Sequence, residues 1–337
     1  MCWCVLGSVR VCVHGNLRAR VHAGVCARVD VCVRAIVQAC DQACLSIYLG
    51  VCYPRRPSFC STRISRAACY VSAKRDFSVS AKTPILIAAM NRKGGIGKTT
   101  LVRALSSAIV HAGKSVLLID TDPNRALISW QMRAEAAGFG SPLMSCKETL
   151  DMDALNIMLD EAFEEAAVDF IIIDTQGGGG VWADTIAAQV QIIVAPVILA
   201  RTDVEDSLKS FAWYQRLADR VDQPELLPKY CSVITKFDSK TRSGESKLRQ
   251  TEQQHLLTVA QKLKPLSYAL RLRPAYQDMD ETGLLGEIAR RMREDANVLK
   301  RGQAIRFEEA LQEATYVLNE LLAEDSGVSF KPEAAHA

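Results

Sequence analysis

Nowhere in the 337 residues does an uninterrupted apolar run reach the roughly 18 needed to cross a bilayer, so no membrane span is expected. Cysteine is scarce where the chain reads as globular. Ten of the 12 cysteines lie at or before Cys69, leaving only Cys146 and Cys231 beyond it. Two distant thiols cannot staple a secreted scaffold, and a reduced, cytosolic body is expected. A large excess of either charge is also missing, the formal net charge being +3. That figure hides an asymmetry: residues 1–82 carry 12 Lys/Arg against three Asp/Glu, and the remainder carries 29 against 35. Any nucleic-acid surface on the mildly acidic body must therefore be a local patch.

Residues 1–82 are dominated by Val, Cys, Arg, Ala and His, as in Val9-Arg-Val-Cys-Val-His14. A disulfide-rich module suits the cysteine number but not a reduced body. A zinc site lacks its second half, because Cys2-x-Cys4 and Cys40-x₃-Cys44 have no matching pair at finger spacing. A transit peptide fits the Arg-rich, acid-poor stretch from Arg55 to Lys82, although the leader is long for one. The reading we favour is low-complexity sequence upstream of a natural start near Val71 to Val79, since GT/GC-alternating DNA encodes all these residue types. Residues 1–82 are then expected to be disordered or absent from the natural protein, 83–325 to form the body, and 326–337 a flexible tail. Natural peptides from before residue 70, seen by mass spectrometry, would contradict this.

The body is organised around Asn91-Arg-Lys-Gly-Gly-Ile-Gly-Lys-Thr-Thr100. An apolar run, Pro84 to Met90, reads as a buried parallel strand, and Leu101 to Val110 has helical spacing. A strand that turns through glycines into a helix holds phosphate: backbone N–H groups converge on the anion and the helix N-terminus adds positive charge. Gly94, Gly95, Ile96, Gly97 and Thr100 would cradle the nucleotide. Lys98 would reach the β- and γ-phosphates, and Thr99 would ligate Mg²⁺.

Strand and helix then alternate. Strands are expected over Ser115–Asp120, Asp169–Asp174, Gln191–Val197, Lys229–Thr235 and Leu266–Leu270. Helices are expected over Ala126–Ala137, Asp151–Ala167, Val204–Val221, Glu245–Leu263, Leu284–Lys300 and Gln303–Ala323. This pattern predicts an α/β P-loop NTPase, a mostly parallel sheet with helices on both faces and the ligand at the strands' carboxyl ends. Asp120, Asp122 and Asp174 all fall at that edge. A lone acid there is commonly a cap or turn former; three beside a P-loop point to a metal–nucleotide site.

The usual P-loop pattern wants glycine where Arg92 stands. Lys93-Gly-Gly-x-Gly-Lys-Thr instead resembles the deviant Walker A motif of the ParA/MinD superfamily, a SIMIBI-like group. Asp120-x-Asp-Pro is similar to its switch I, and Asp174-Thr-Gln-Gly-Gly178 stands where the family has switch II. There Gln176 and four glycines replace the prolines often found after Asp-Thr. The resemblance implies that Asp122 positions the attacking water and that Asp120 and Asp174 support Mg²⁺. It implies that Lys93 crosses into a partner's site in an ATP-bound homodimer. Thr235 and Lys236 resemble a segment near the adenine. Lys240, Arg242, Lys247 and Arg249 form a basic stretch where the family contacts DNA phosphates nonspecifically, and Arg271, Arg273, Arg290, Arg291 and Arg293 would extend it.

Asp122-Pro-Asn-Arg-x-Leu-x-x-Trp130, Asp174-Thr-x-Gly-Gly178 and Thr202-Asp-Val-Glu-Asp206 look closest to plasmid ParA and VirC-type conjugation ATPases. The resemblance implies a cytoplasmic, nucleoid-associated ATPase using ATP and Mg²⁺ for plasmid or chromosome partition, stimulated by a ParB-like protein. The alternative is a VirC-type ATPase that brings a relaxosome adaptor and transfer DNA to a type IV secretion channel. A metabolic or iron–sulfur-carrier enzyme on the same fold is a rival of another class. The acidic residues from Leu311 to Asp325 disfavour the membrane-binding helix of the MinD branch.

Overall fold

The computed structural model describes residues 2–6, 9–14, 18–22, 83–164, 168–220, 227–238 and 248–323. The chain divides into two units, Met1–Arg63 and Ile64–Ala337. In the first, β1 (Cys2–Leu6), β2 (Val9–His14) and β3 (Arg18–His22) pair antiparallel in that order.

The second unit is built on seven strands. They are β4 (Ile85–Ala89), β5 (Val116–Thr121), β6 (Met144–Glu148), β7 (Phe170–Thr175), β8 (Ile192–Val197), β9 (Lys229–Phe237) and β10 (Leu270–Arg271). Their order is β10-β9-β8-β4-β7-β5-β6, and every pairing is parallel. The helices are α1 (Lys98–His111), α2 (Ala126–Ala137), α3 (Met152–Glu164), α4 (Val181–Ala187) and α5 (Arg201–Ala218). They continue with α6 (Gln250–Leu263), α7 (Pro274–Thr282), α8 (Leu285–Glu294), α9 (Val298–Gln303) and α10 (Ile305–Leu322).

Burial on both faces explains why the strands read as unbroken apolar runs. Their side chains alternate between two cores. Ile87, Ala89, Val116, Leu118, Phe170, Ile172 and Val194 join α1, α2, α7, α8 and α10. Leu86, Ala88, Leu117, Ile119, Ile171, Ile173 and Ile193 join α3, α4 and α5. The first core contains the long face of α10, whose Glu313 and Glu320 accept hydrogen bonds from the β10 region. Among the described residues no helix is long and apolar enough to cross a membrane.

Five elements differ from the sequence expectation, two of them the unanticipated helices α4 and α7. β6, Met-Ser-Cys-Lys-Glu, was not anticipated; it is the polar edge strand, paired only with β5. The strand expected over Leu266–Leu270 shrinks to β10, two residues long. The helix expected over Leu284–Lys300 breaks into α8 and α9 around Asn297, whose side chain accepts from the Leu299 N–H at 2.9 Å.

Candidate functional site

Sheet register assembles the site. Ala89 pairs with Asp174, and Asp174 pairs with Asp120, so β4, β7 and β5 end in one row. Hydroxyls tie the row together: Thr175 Oγ1 donates to Ala89 O at 2.8 Å and Thr121 Oγ1 to Asp174 O at 2.9 Å.

The phosphate loop leaves β4 from this row. Gly97, at φ 99°, turns the chain into α1, a left-handed conformation that a side chain would disfavour. The loop is anchored on α5 and β8, with Asn91 Nδ2 donating to Pro196 O at 3.0 Å and Ser207 Oγ at 3.1 Å. The Arg92 N–H donates to Ser210 Oγ at 3.1 Å. From β9, Thr235 Oγ1 donates to Ile96 O at 3.3 Å and Lys236 Nζ to Gly95 O at 3.5 Å. The family resemblance put Thr235 and Lys236 near the adenine; in the fold both side chains reach the backbone of the phosphate loop.

Lys98 is buried, its ammonium donating to Lys93 O at 3.1 Å and Asn91 O at 3.5 Å. Burial pulls its pKa down, while Asp174 and Asp122 oppose that. Asp174 is the complementary group. It is 1% exposed, and neither carboxylate oxygen has an aligned hydrogen-bond partner. Burial raises its pKa to about 7; the Thr99 hydroxyl nearby lowers it, Asp120 raises it, and Lys98 and Arg103 lower it. An orphaned buried carboxylate beside a threonine hydroxyl and a lysine suits a hydrated Mg²⁺ carried by phosphates. Among the described residues no three His, Cys, Asp or Glu side chains converge on a metal.

Asp120 has a different task. Its Oδ1 accepts from the Asp122 N–H at 3.0 Å and its Oδ2 from the Leu127 N–H at 2.8 Å, so it holds the loop between β5 and α2. Asp122 Oδ1 accepts from the Asn124 N–H at 2.9 Å and its amide at 2.8 Å, forming an Asx turn at the mouth of the site.

Of the glycines after Asp174, Gly177 lies against the backbone of the phosphate loop. A Cβ on Gly177 would stand 3.0 Å from Gly94 N and 3.1 Å from Arg92 O, so any side chain there forces backbone apart. Behind this loop is a small cleft bordered by Arg92, Trp182 and Trp213. The Trp182 indole N–H is buried there without an acceptor.

Lys93 turns toward its own chain. Its ammonium forms an ion pair with Asp203 at 2.8 Å and donates to Thr202 Oγ1 at 3.0 Å, both at the start of α5.

Sequence reasoning missed the cavity beside the loop, about 240 Å³, bounded by Gly97, Thr100, Thr235, Lys236, Leu270–Arg273 and the α7 residues Tyr276, Gln277 and Asp280. The available signal was Pro274, a residue favoured in a helix's first turn. The cavity has the placement and walls for a nucleoside next to a phosphate loop.

Most of the basic stretch expected to contact DNA, namely Lys240, Arg242 and Lys247, lies outside the described residues. Arg249 is exposed at the start of α6, its N–H donating to Glu252 at 2.9 Å. Of the five arginines expected to extend the patch, four are committed to carboxylates: Arg271 and Arg273 to Glu313, Arg290 to Glu287 and Glu294, Arg293 to Glu308. Arg291 lies over the Phe139 ring at 4.8 Å. Paired charges attract phosphate weakly, so the four ion-paired arginines add little to a DNA surface. Of the two thiols in the body, Cys231 is buried, and burial raises the Cys146 pKa well above its usual value.

Comparison with known proteins decides the family. The VirC1 protein family profile matches residues 85–325. The chain belongs to the VirC1 protein family. VirC1 of Rhizobium rhizogenes is 27% identical over 222 residues, 64% of this chain and 90% of that protein. VirC1 of Rhizobium radiobacter is 31% identical over 124 residues, 36% of this chain and about half of that protein, 52%. A ParA protein of Rhizobium radiobacter is 25% identical over 140 residues, 41% of this chain and 60% of the relative. Among solved structures, MinD of Aquifex aeolicus superposes with a TM-score of 0.50 at 15% identity, over 74% of this chain and all of that one. That likeness supports the α/β P-loop NTPase fold and nothing finer. Family membership places the VirC-type reading ahead of partition, reversing the order the motifs alone suggested.

Proposed function

We propose that this VirC1-family chain is a magnesium-dependent ATPase that uses its nucleotide cycle to hold transfer DNA and a relaxosome adaptor for conjugative export. The observation that carries the ATPase reading is the buried, unpartnered Asp174 carboxylate beside Thr99 and Lys98. The choice of cargo rests on the family.

The loop amides from Gly94 to Thr100 bind the phosphates, and Lys98 neutralises the β- and γ-oxygens. Thr99 and Asp174 hold the metal, with Asp120 supporting them through the loop it fixes. Bound Mg²⁺ supplies charge neutralisation of the transferring phosphoryl group. Asp122 orients the attacking water at the mouth of the site. Lys93 leaves Asp203 and enters the site of a second copy, so ATP bridges a homodimer and its hydrolysis releases it. Lys240, Arg242, Lys247 and Arg249 contact DNA phosphates without reading bases.

The test titrates the full chain onto nonspecific duplex DNA with ATP, ADP or no nucleotide, at two salt concentrations. ATP-selective, salt-sensitive binding that weakens in a Lys240→Glu, Arg242→Glu double variant supports the reading. Equal binding in all three states refutes the cycle, and unchanged binding by the variant removes that basic stretch. Partition of a replicon is the second reading, favoured by the ParA relative. Loss of plasmid inheritance with intact conjugation on deleting the gene would select it.

A further inference from the structure

Arg103 carries a guanidinium to which the scheme above gives no task. It lies on α1 about one and a half turns past Lys98, and its side chain is 6% exposed. One end is ion-paired with Asp280 on α7. The other, Nη2, donates to the Ala126 carbonyl at 2.8 Å. Its Cζ lies 5.5 Å from the centre of the Trp130 ring on α2, and Nε is buried with no acceptor.

A cation buried among three helices is a poor way to fill space, since an apolar side chain of similar volume commonly packs as well or better. Its value lies in what it holds, the first turn of α2. Arg103 takes the carbonyl of Ala126 while Asp120 takes the N–H of Leu127 at 2.8 Å. A cation from α1 and an anion from β5 thus fix two successive residues just after the loop that carries Asp122. The same guanidinium reaches Asp280, which borders the 240 Å³ cavity beside the phosphate loop. Asp280 also receives Arg133 from α2 at 3.3 Å, and the Trp130 indole donates to Met279 O at 2.8 Å. The wall of the cavity and the helix behind the Asp122 loop are therefore one hydrogen-bonded unit, with Arg103 at its centre.

We propose that Arg103 is a positioning residue that sets the Asp122 loop through Ala126 and ties it, through Asp280, to occupancy of the cavity along α7. This rests on the ATPase reading and names a residue that acts in it without touching nucleotide.

The test compares the full chain with Arg103→Met, Arg103→Lys and Asp280→Asn. In the nucleotide-free protein, Arg103→Met should raise amide exchange of residues 124–127 by about tenfold or more while β4 and β7 stay protected. In turnover it should lower kcat by about tenfold with KM within about threefold. Arg103→Lys, which keeps the charge but reaches one partner at a time, should fall between. Asp280→Asn should keep the loop ordered without nucleotide but lose the extra protection that ATP gives residues 124–127. Parental exchange and kcat in Arg103→Met would overturn the proposal. So would exchange that rises across the sheet and all helices alike, with kcat and KM shifting together, since that describes a merely structural residue. A parent chain that neither binds nor hydrolyses ATP defeats the ATPase reading instead, and exchange at 124–127 still decides whether Arg103 anchors the loop.

Discussion

Replacing Asp174 with Asn probes the electrostatics of the metal edge without any nucleotide present. The carboxylate is 1% exposed, and its pKa rises from 3.8 to about 7, chiefly through burial. A folded-state pKa above the unfolded one means that the folded chain holds this proton more tightly. The associated stability is complete below the unfolded value and is lost as pH rises through about 7. At pH 8 the ionised group costs about three pKa units at about 1.36 kcal/mol each, a ceiling of about 4 kcal/mol. Asparagine removes the charge but buries an amide with no better partners, which costs about 1–3 kcal/mol. The variant should therefore be more stable than the parent by about 1–3 kcal/mol at pH 8, with the difference shrinking to nothing or reversing near pH 4. Urea melts at pH 4, 6 and 8 measure this directly. A variant no more stable than its parent at pH 8, or a difference that ignores pH, would show that the folded chain does not hold a proton on Asp174. The same ionisation should make Mg·ATP binding expel close to one proton at pH 6 and few at pH 8. Calorimetry in buffers of different ionisation enthalpy reads that number.

Three further outcomes follow from the geometry. Gly177→Ala places a methyl 3.0 Å from Gly94 N, so the two loops must move apart by a few tenths of an ångström. Phosphate release should slow about tenfold with global stability nearly unchanged, surface loops away from the core being tolerant, and normal turnover would show that this contact does not matter to the reaction. Asp203→Asn frees Lys93 from a partly exposed ion pair worth about 0.2–1 kcal/mol. Both protomers of the dimer gain, so ATP-dependent dimers should then form up to about thirtyfold more readily, as light scattering against ATP concentration would report. Asp122→Ala should bind ATP but stall hydrolysis and accumulate the dimer; hydrolysis at the parental rate would remove Asp122 from the water-positioning role.

Much of the architecture was legible because a parallel sheet buried on both faces needs apolar runs with little interruption. Pro84–Met90, Asp169–Asp174 and Gln191–Val197 are such runs, and each became a strand within a residue or two at either end. The site was legible because its chemistry sits at strand ends, where glycine and acid are conspicuous. What escaped had weaker local signals. β6 is an edge strand with lysine and glutamate on it, and α4 spans seven residues after four glycines. Asp203 stood in the sequence only as part of a family-like segment, and the fold brings it to Lys93 across 110 positions of sequence. Arg103 sat unremarked in an otherwise apolar helix; only the crossing of α1, α2 and α7 gives it partners.

The row formed by Ala89, Asp120 and Asp174 has a consequence for how the molecule is made. These residues come from segments separated by tens of positions, and no single strand–helix unit contains the whole row. A nucleotide can therefore find its site only after three neighbouring strands have docked in register; a one-residue slip of β7 would send Asp174 to the opposite face. ATP then acts as a clamp on the finished sheet. At one hundred times its dissociation constant it stabilises the native state by about 2.7 kcal/mol. A nascent chain released into a cell rich in nucleotide is thus rewarded for completing its central strands, and an energy-starved cell would carry a larger fraction of this protein unfolded.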